Sequence, residues 1–232
     1  MFCCPSHKNI KLSASVMCAN WWNLGADISS LEVLNVDYLH YDIMDGFFVE
    51  DYCLGTNIIN EIRKHTTIKS DYHLMVEEPM RIIDNFNDIK QGDILTIHYE
   101  ACRNLHRDLV KLRKMGFKVG LALNPATTID QIEYVIEEVD VILIMTVNPG
   151  YKGQKLVPQT LKKIQALHNL KIKYGYQFDI EVDGNVNEEF IPTMIKYGAN
   201  ILVGGSSGLF IKNQSLEKSV EKLNAVIREG LE

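Results

Sequence analysis

The sequence predicts a single-domain α/β fold, a closed (β/α)8 TIM barrel with parallel strands. Three observations carry that expectation. Short apolar runs alternate with longer amphipathic stretches from one end of the chain to the other, the alternation yields eight such pairs, and no low-complexity or Pro/Gly/Ser-rich stretch marks a linker in the 232 residues. A content of 46% hydrophobic and 23% charged residues suits one globular unit with a sizeable core. The expected organisation is an N-terminal extension at 1–10 and a barrel domain at 11–232. An open doubly wound sheet is the runner-up, but such sheets more often stop at about five or six strands.

Taken in order, the first strand candidate, 12–17, carries Ser15 and precedes a helix-like segment at 24–35. The second, 38–43, carries His40 and Asp42 and leads to 56–65; the third, 70–76, carries His73 and leads to 79–87. The fourth, 94–98, ends on His98 before 104–115, and the fifth, 118–123, is followed by Asn124 and then 128–137. The sixth, 141–146, runs into Asn148 and then 158–173; the seventh, 178–183, ends on Asp183 before 188–197. The eighth, 201–204, precedes a last helix-like segment at 215–229. Barrels of this kind keep their chemistry at the C-terminal strand ends and in the loops that follow. The unusual polar side chains fall at those ends.

Composition narrows the function. Five cysteines, an odd number with no Cys-x-x-Cys pair, suggest reduced thiols rather than a disulfide framework or a thiolate zinc site. Cys3-Cys4 beside His7 is read as part of a frayed terminus rather than a metal scavenger. No run approaches the roughly 18 consecutive apolar residues of a membrane span, and the opening residues lack a secretory hydrophobic region, so a cytoplasmic protein without membrane partners is expected. A net charge of −6 without a Lys/Arg block argues against nucleic acid. It does not argue against a phosphate, which backbone amides bind whatever the net charge.

His40-Tyr41-Asp42 sets two metal-competent side chains two residues apart on a strand, hence on one face of the sheet. Asp71-Tyr72-His73 and Glu181-Val182-Asp183 repeat that spacing. Two imidazoles and two carboxylates converging at one mouth form an N/O site suited to one divalent ion, whether zinc, manganese, iron or cobalt. Taken singly, His40 or His73 reads more readily as a histidine hydrogen-bonded within the barrel wall than as a ligand. Asp42 and Asp183 resist such a reading, because a lone carboxylate at the end of an apolar strand is costly to bury without a partner.

Asn148-Pro149-Gly150-Tyr151-Lys152-Gly153-Gln154 follows the sixth strand, and Gly204-Gly205-Ser206-Ser207-Gly208 the eighth, with Asp183-Gly184-Asn185 between them. Each alone is ordinary turn chemistry. On neighbouring strands they read as a phosphate cradle of Gly150, Gly153, Gly184, Asn185, Gly205 and Ser206, since glycine lets backbone amides turn toward an anion. Met44, Met75 and Met145 recur at strand ends, either as adaptable core filling or as lining of the site, and Asn148 stands beside them as a substrate contact.

Five ordered segments resemble the ribulose-phosphate 3-epimerase family over nearly the whole chain. They are Ser13-Ala14-Ser15-Val16-Met17, Leu39-His40-Tyr41-Asp42-Ile43-Met44-Asp45-Gly46, Asp71-Tyr72-His73-Leu74-Met75-Val76, Met145-Thr146-Val147-Asn148-Pro149-Gly150 and Ile180-Glu181-Val182-Asp183-Gly184. Within that family, Ser15-Val16-Met17-Cys18, Met145-Thr146-Val147 and Ser207-Gly208-Leu209-Phe210 look more like the D-allulose-6-phosphate 3-epimerase branch than the pentose-phosphate branch. The resemblance implies a phosphorylated ketose as substrate, with interconversion of D-allulose 6-phosphate and D-fructose 6-phosphate ahead of D-ribulose 5-phosphate and D-xylulose 5-phosphate, and a homo-oligomer. It also implies that His40, Asp42, His73 and Asp183 bind one divalent metal while Asp42 and Asp183 act as the acid/base pair. Ser15 then contacts the substrate or orients a carboxylate, His73 faces the substrate as well as the metal, and the three methionines floor the site. Removing a proton beside a ketone makes an ene-diolate that a Lewis acid stabilises, and return of a proton to the opposite face inverts C3.

The chain departs from the family pattern at Phe47, where histidine is common, at Val49-Glu50-Asp51 in place of Val-Pro-Asn, at Asn185, and at Trp21-Trp22. These positions bear on which sugar is taken rather than on the reaction. A metal-assisted aldolase or decarboxylase carrying Asp-x-Lys-x-x-Asp is disfavoured because Asp42-Ile43-Met44-Asp45 has no lysine. A non-catalytic sugar-phosphate sensor has no need of carboxylates on both faces of its ligand.

Overall fold

All eight expected strands form, each within about a residue or two of the span read from the sequence. They are β1 (Lys11–Ser15), β2 (Tyr38–Asp45), β4 (Lys69–Met75), β5 (Ile94–His98), β6 (Lys118–Leu123), β7 (Val141–Met145), β8 (Asp179–Asp183) and β9 (Ile201–Gly204). The computed structural model describes residues 10–86 and 89–231, so the Cys3-Cys4 segment lies outside the described residues. The strands follow the order β1-β9-β8-β7-β6-β5-β4-β2, every neighbour parallel, and a β1–β2 pairing closes the barrel. Among the described residues no helix is long and apolar enough to cross a membrane.

A ninth strand escaped the sequence reading. β3 (Tyr52–Cys53) turns back antiparallel on the end of β2, pairing Met44 with Cys53 and Asp45 with Tyr52. Asp45 makes this turn. Its Oδ1 accepts the backbone N–H groups of Phe47 and Phe48, both at 2.9 Å, and Gly46 supplies the left-handed φ of 73°.

Among the described residues six α-helices pack outside: α1 (Leu24–Val33), α2 (Thr56–Arg63), α3 (Leu105–Met115), α4 (Gln159–Tyr174), α5 (Ile191–Lys196) and α6 (Leu216–Leu231). The segments 79–87 and 128–137, expected as helices, are instead pairs of 3-10 turns, Pro79–Arg81 with Ile83–Asn85 and Ile129–Ile132 with Ile136–Glu138. In the first, Glu78 is left-handed just before Pro79, and the chain closes i to i+3 bonds such as Arg81 N–H to Glu78 O at 3.0 Å. In the second, Glu137 and Glu138 fall where a helix dipole is negative. Each segment still buries its apolar anchors, Ile83, Ile132 and Ile136, so the hydrophobic pattern is that of a helix while the backbone is not.

The period-two alternation of the strands sorts side chains into two cores. Outward residues such as Leu39, Tyr41, Leu74, Leu95, Leu121, Ile142 and Leu202 join the shell shared with the helices. Inward, Tyr38, Ile94, Val141 and Ile201 form an apolar layer from alternate strands that plugs the bottom of the barrel. Above it Gly120 faces Thr96 so closely that an added Cβ would lie 2.0 Å from Thr96 Oγ1. The third inward tier is polar, and it holds the site.

Candidate active site

Parallel register brings the polar tier together. Pairing β2 with β4 sets His40 beside Asp71 and Asp42 beside His73; pairing β1 with β2 sets Ser15 beside His40. Across the barrel, β8 contributes Glu181 and Asp183 from the same inward face. The result is one cluster in which ligand atoms of His40, Asp42, His73 and Asp183 all lie within 4.8 Å of one another. His40 Nε2 is 3.3 Å from His73 Nδ1 and 3.5 Å from Asp42 Oδ1, and His73 Nδ1 is 3.8 Å from both Asp42 Oδ1 and Asp183 Oδ2.

The outer nitrogens decide what the inner ones can be. His40 Nδ1 donates to Asp71 Oδ2 at 2.7 Å, and Ser13 Oγ donates to the same oxygen at 2.7 Å. On the other side His73 Nε2 lies 2.8 Å from His98 Nε2, and His98 Nδ1 lies 3.2 Å from Glu100 Oε2. Read from the carboxylate inward, Glu100 accepts from His98 Nδ1, which leaves His98 Nε2 bare to accept the proton of His73 Nε2. That arrangement presents the Nδ1 lone pair of His73 toward His40 Nε2. The two nitrogens, 3.3 Å apart and flanked by two carboxylates, call for a positive charge between them, either a proton on His40 or a metal ion in its place. The N2O2 donor set fits a divalent metal.

The charges of the four side chains and their neighbours follow the same logic. Burial alone would lower the His40 imidazole, but Asp71 and then Asp42 hold it well above its usual range. Burial would raise Asp42, yet His40 and His73 hold it below the usual carboxylate range, while burial and the Asp42 charge push Asp183 up against the pull of His40. Burial depresses His98 to about 4, which keeps its acceptor nitrogen bare near neutrality. Burial and then Asp71 push Glu181 well above the carboxylate range. That shift favours a protonated Glu181, a donor for Asp71 Oδ1, which has no other partner among the described residues.

Above the cluster opens a cavity that is continuous with solvent. Ser15, Asp42, Met44, Met75, Met145, Asn148 and Asp183 line it, as do all six cradle residues, Gly150, Gly153, Gly184, Asn185, Gly205 and Ser206. His40 and His73 lie beneath its floor rather than on its wall, each fully buried, so the structure does not bring His73 to the surface that a substrate meets. Ser15 Oγ donates to Asp42 Oδ2 at 2.7 Å. Met44 and Met75 pack with Val49, and Met145 with Ala122, Leu143 and Val147, so these methionines are core filling and site lining at once.

The β8 loop is held from behind by Thr146, whose hydroxyl donates to the carbonyls of Asp183 at 2.9 Å and of Gly184. Gly184 has φ 110°, and a Cβ there would meet Val147 Cγ2 at 2.6 Å, so only glycine lets the chain turn past β7. Sequence reasoning noticed Asp71, Glu181 and His98 by position without giving them work, and it passed over Ser13, Glu100 and Thr146. Their signal was present: Ser13, Asp71 and Glu181 each sit two residues before a mouth residue, on the same face.

Comparison with known proteins agrees with this geometry. The family model described as Ribulose-phosphate 3 epimerase family matches residues 11–210. The chain is 42% identical over 200 residues to a ribulose-phosphate 3-epimerase of Bacillus subtilis, covering 85% of this chain and 91% of that one. It is 37% identical over 223 residues to a ribulose-phosphate 3-epimerase of Methanocaldococcus jannaschii, covering 96% and 93%. Among solved structures, KGPDC from Streptococcus mutans superposes with a TM-score of 0.67 at 10% identity over 97% of this chain and 100% of that one, a likeness of fold.

Proposed function

The chain belongs to the ribulose-phosphate 3-epimerase family and is a ketose-phosphate 3-epimerase, and from that premise we propose that it interconverts D-ribulose 5-phosphate and D-xylulose 5-phosphate. The observation that carries the reading is the pair of carboxylates, Asp42 from β2 and Asp183 from β8, that line one cavity and cluster with His40 and His73. The choice of the five-carbon sugar rests on the names of the relatives, which are ribulose-phosphate 3-epimerases from bacteria and an archaeon. The six-carbon reading, D-allulose 6-phosphate to D-fructose 6-phosphate, stands second on one feature. Ser207-Gly208-Leu209-Phe210 forms the loop after β9, with Ser207 on the cavity wall and Leu209 buried behind it.

In this mechanism His40, Asp42, His73 and Asp183 hold one divalent ion, zinc, manganese, iron or cobalt. Such an ion supplies positive charge and Lewis acidity beside the reacting carbonyl. One carboxylate takes the C3 proton from its face of the sugar, and the other delivers a proton from the opposite face. Ser15 keeps Asp42 aimed by donating to its outer oxygen. Asp71, with the neutral Glu181 behind it, holds His40 in one tautomer, and His98 does the same for His73. Met44, Met75 and Met145 give the planar intermediate an aprotic floor. Gly184, Asn185, Gly205 and Ser206 turn their amides to the phosphate. A homo-oligomer, implied by the family resemblance, belongs to the same reading and is checked by light scattering.

The test is kinetic. Purified protein with metal supplied is incubated with each ketose phosphate in deuterated water. Exchange of the C3 hydrogen with epimer formation is expected, with the higher kcat/KM on D-ribulose 5-phosphate. Higher efficiency on the six-carbon sugar reverses the order, and exchange on neither sinks both.

A further inference from the structure

The cavity wall bears two carboxylates, Asp42 and Asp183, and only one Lys or Arg among its described lining residues, Lys152. A doubly charged phosphate entering this mouth meets repulsion from both carboxylates, and backbone amides offer only partial charges in return. Lys152 sits at the tip of the loop after β7 and forms no ion pair with a described residue. Elsewhere exposed arginines are already matched: Arg81 and Arg103 both reach Glu78, and Arg107 reaches Asp108. Lys152 differs from them in bringing an unmatched charge to the cavity above Asp42 and Asp183.

The loop is built to present that tip. Gly150 at φ 121° and Gly153 at φ 84° flank Tyr151-Lys152 on either side, both in backbone geometry that other residues rarely adopt. Gln154 Nε2 donates to the carbonyls of Asn148 at 2.5 Å and Tyr151 at 2.9 Å, drawing the neck shut, and Val157 N–H to Thr146 O at 2.8 Å anchors the base. Gly150 in turn abuts Val49 of the β2 loop, where an added Cβ would lie 3.1 Å from Val49 Cβ. The tip is thus braced from two sides. Across the mouth, the Lys152 charge acts on Cys18 beside Ser15, so its field reaches the far wall.

We propose that Lys152 is the cationic clamp of the substrate phosphate, its ammonium closing over a phosphate seated on the Gly184-Asn185 and Gly205-Ser206 turns. The inference rests on the ketose-phosphate reading above, and it adds a charged specificity residue from the loop that also supplies Gly150 and Gly153 to the cradle. A clamp of this kind acts on binding and on the rate of capture rather than on proton transfer, and its contribution is screened by salt.

The experiment compares wild type, Lys152→Gln and Lys152→Arg by kcat and KM at low and high ionic strength, and by the affinity of inorganic phosphate measured calorimetrically. For Lys152→Gln, KM and the phosphate dissociation constant are expected to rise by roughly tenfold at low salt, with most of the loss in KM, a flattened salt dependence, and recovery in Lys152→Arg. Unchanged phosphate affinity in Lys152→Gln overturns the clamp, as does a loss confined to kcat. If wild type turns over neither sugar phosphate, the functional reading fails, while the phosphate titration still decides the role of Lys152.

Discussion

Replacing His98 by leucine removes one acceptor from a buried hydrogen-bond chain, and the cost falls on one state of the site only. His73 and His98 side chains are both fully buried, their nitrogens 2.8 Å apart, and Phe48 covers the outer face of His98 with ring centroids 4.7 Å apart, so no water stands ready to replace the acceptor. Without metal the protons can redistribute: His40 Nε2 gives up its proton to Asp183, whose carboxyl is pushed up, and His73 moves its own to Nδ1, toward Asp42 and Asp183 at 3.8 Å, which leaves Nε2 bare. With metal bound, Nδ1 must be the lone pair, and Nε2–H is then a buried donor with no partner. Such a donor costs about 1–3 kcal/mol, roughly a 5- to 150-fold loss of metal affinity. The assay is competition for zinc or manganese against a chromophoric chelator, with far-ultraviolet circular dichroism confirming the fold. Glu100→Gln, one step further out, should cost several-fold less. Wild-type metal affinity in a folded His98→Leu protein refutes the tautomer argument and with it the orienting role of the His98–Glu100 pair.

Four further outcomes follow from particular contacts. Asp183→Asn should fold normally yet lower kcat by about 10²–10⁴-fold, measured as C3 exchange in deuterated water; a near-normal rate removes it from proton transfer. Arg63→Met should destabilise by about 3–5 kcal/mol in urea unfolding, because Asp93, fully buried and 2.8 Å from Arg63 Nη1, is left without its counter-charge. Gly120→Ala should prevent stable folding, since its Cβ would overlap Thr96 Oγ1 at 2.0 Å and approach Thr96 Cα at 2.8 Å; a soluble variant with native melting would show that β5 and β6 can part there. Glu100, although partly buried, is held at about 2 from an ordinary 4.5 by His98, Thr127 and the Asn124 N–H. Its depressed value contributes stability above about pH 4.5 that is lost as pH falls toward 2, so Glu100→Gln should flatten the acid limb of Tm against pH, and an unaltered limb counts against that contact.

The barrel is legible in the sequence because each strand is buried on both faces by residues whose polar exceptions come at the C-terminal end. Hydrophobic spacing cannot separate an α-helix from two successive 3-10 turns that bury the same anchors, which is why 79–87 and 128–137 read as helices. The turn at Asp45-Gly46 and the short β3 depend on one carboxylate capping backbone N–H groups, a local contact with no periodic trace. The four cluster residues are legible through their spacing and their cost if left alone. What lies behind them is not, because the value of Glu100 to His73 passes through His98 and exists only once β4 and β5 are in register. Lys152 is invisible for another reason: a lysine in a glycine loop reads as solvated until the cavity it faces is known.

The apolar plug of Tyr38, Ile94, Val141 and Ile201 beneath the polar tier makes the site a well with a single entrance. Sugar can leave only by the way it came in, so epimer and starting ketose exclude each other at every moment of the cycle. Such traffic makes each epimer a strictly competitive inhibitor of the reverse reaction, with no ternary complex available to either. A reversible enzyme built this way takes its direction wholly from the concentrations at its mouth.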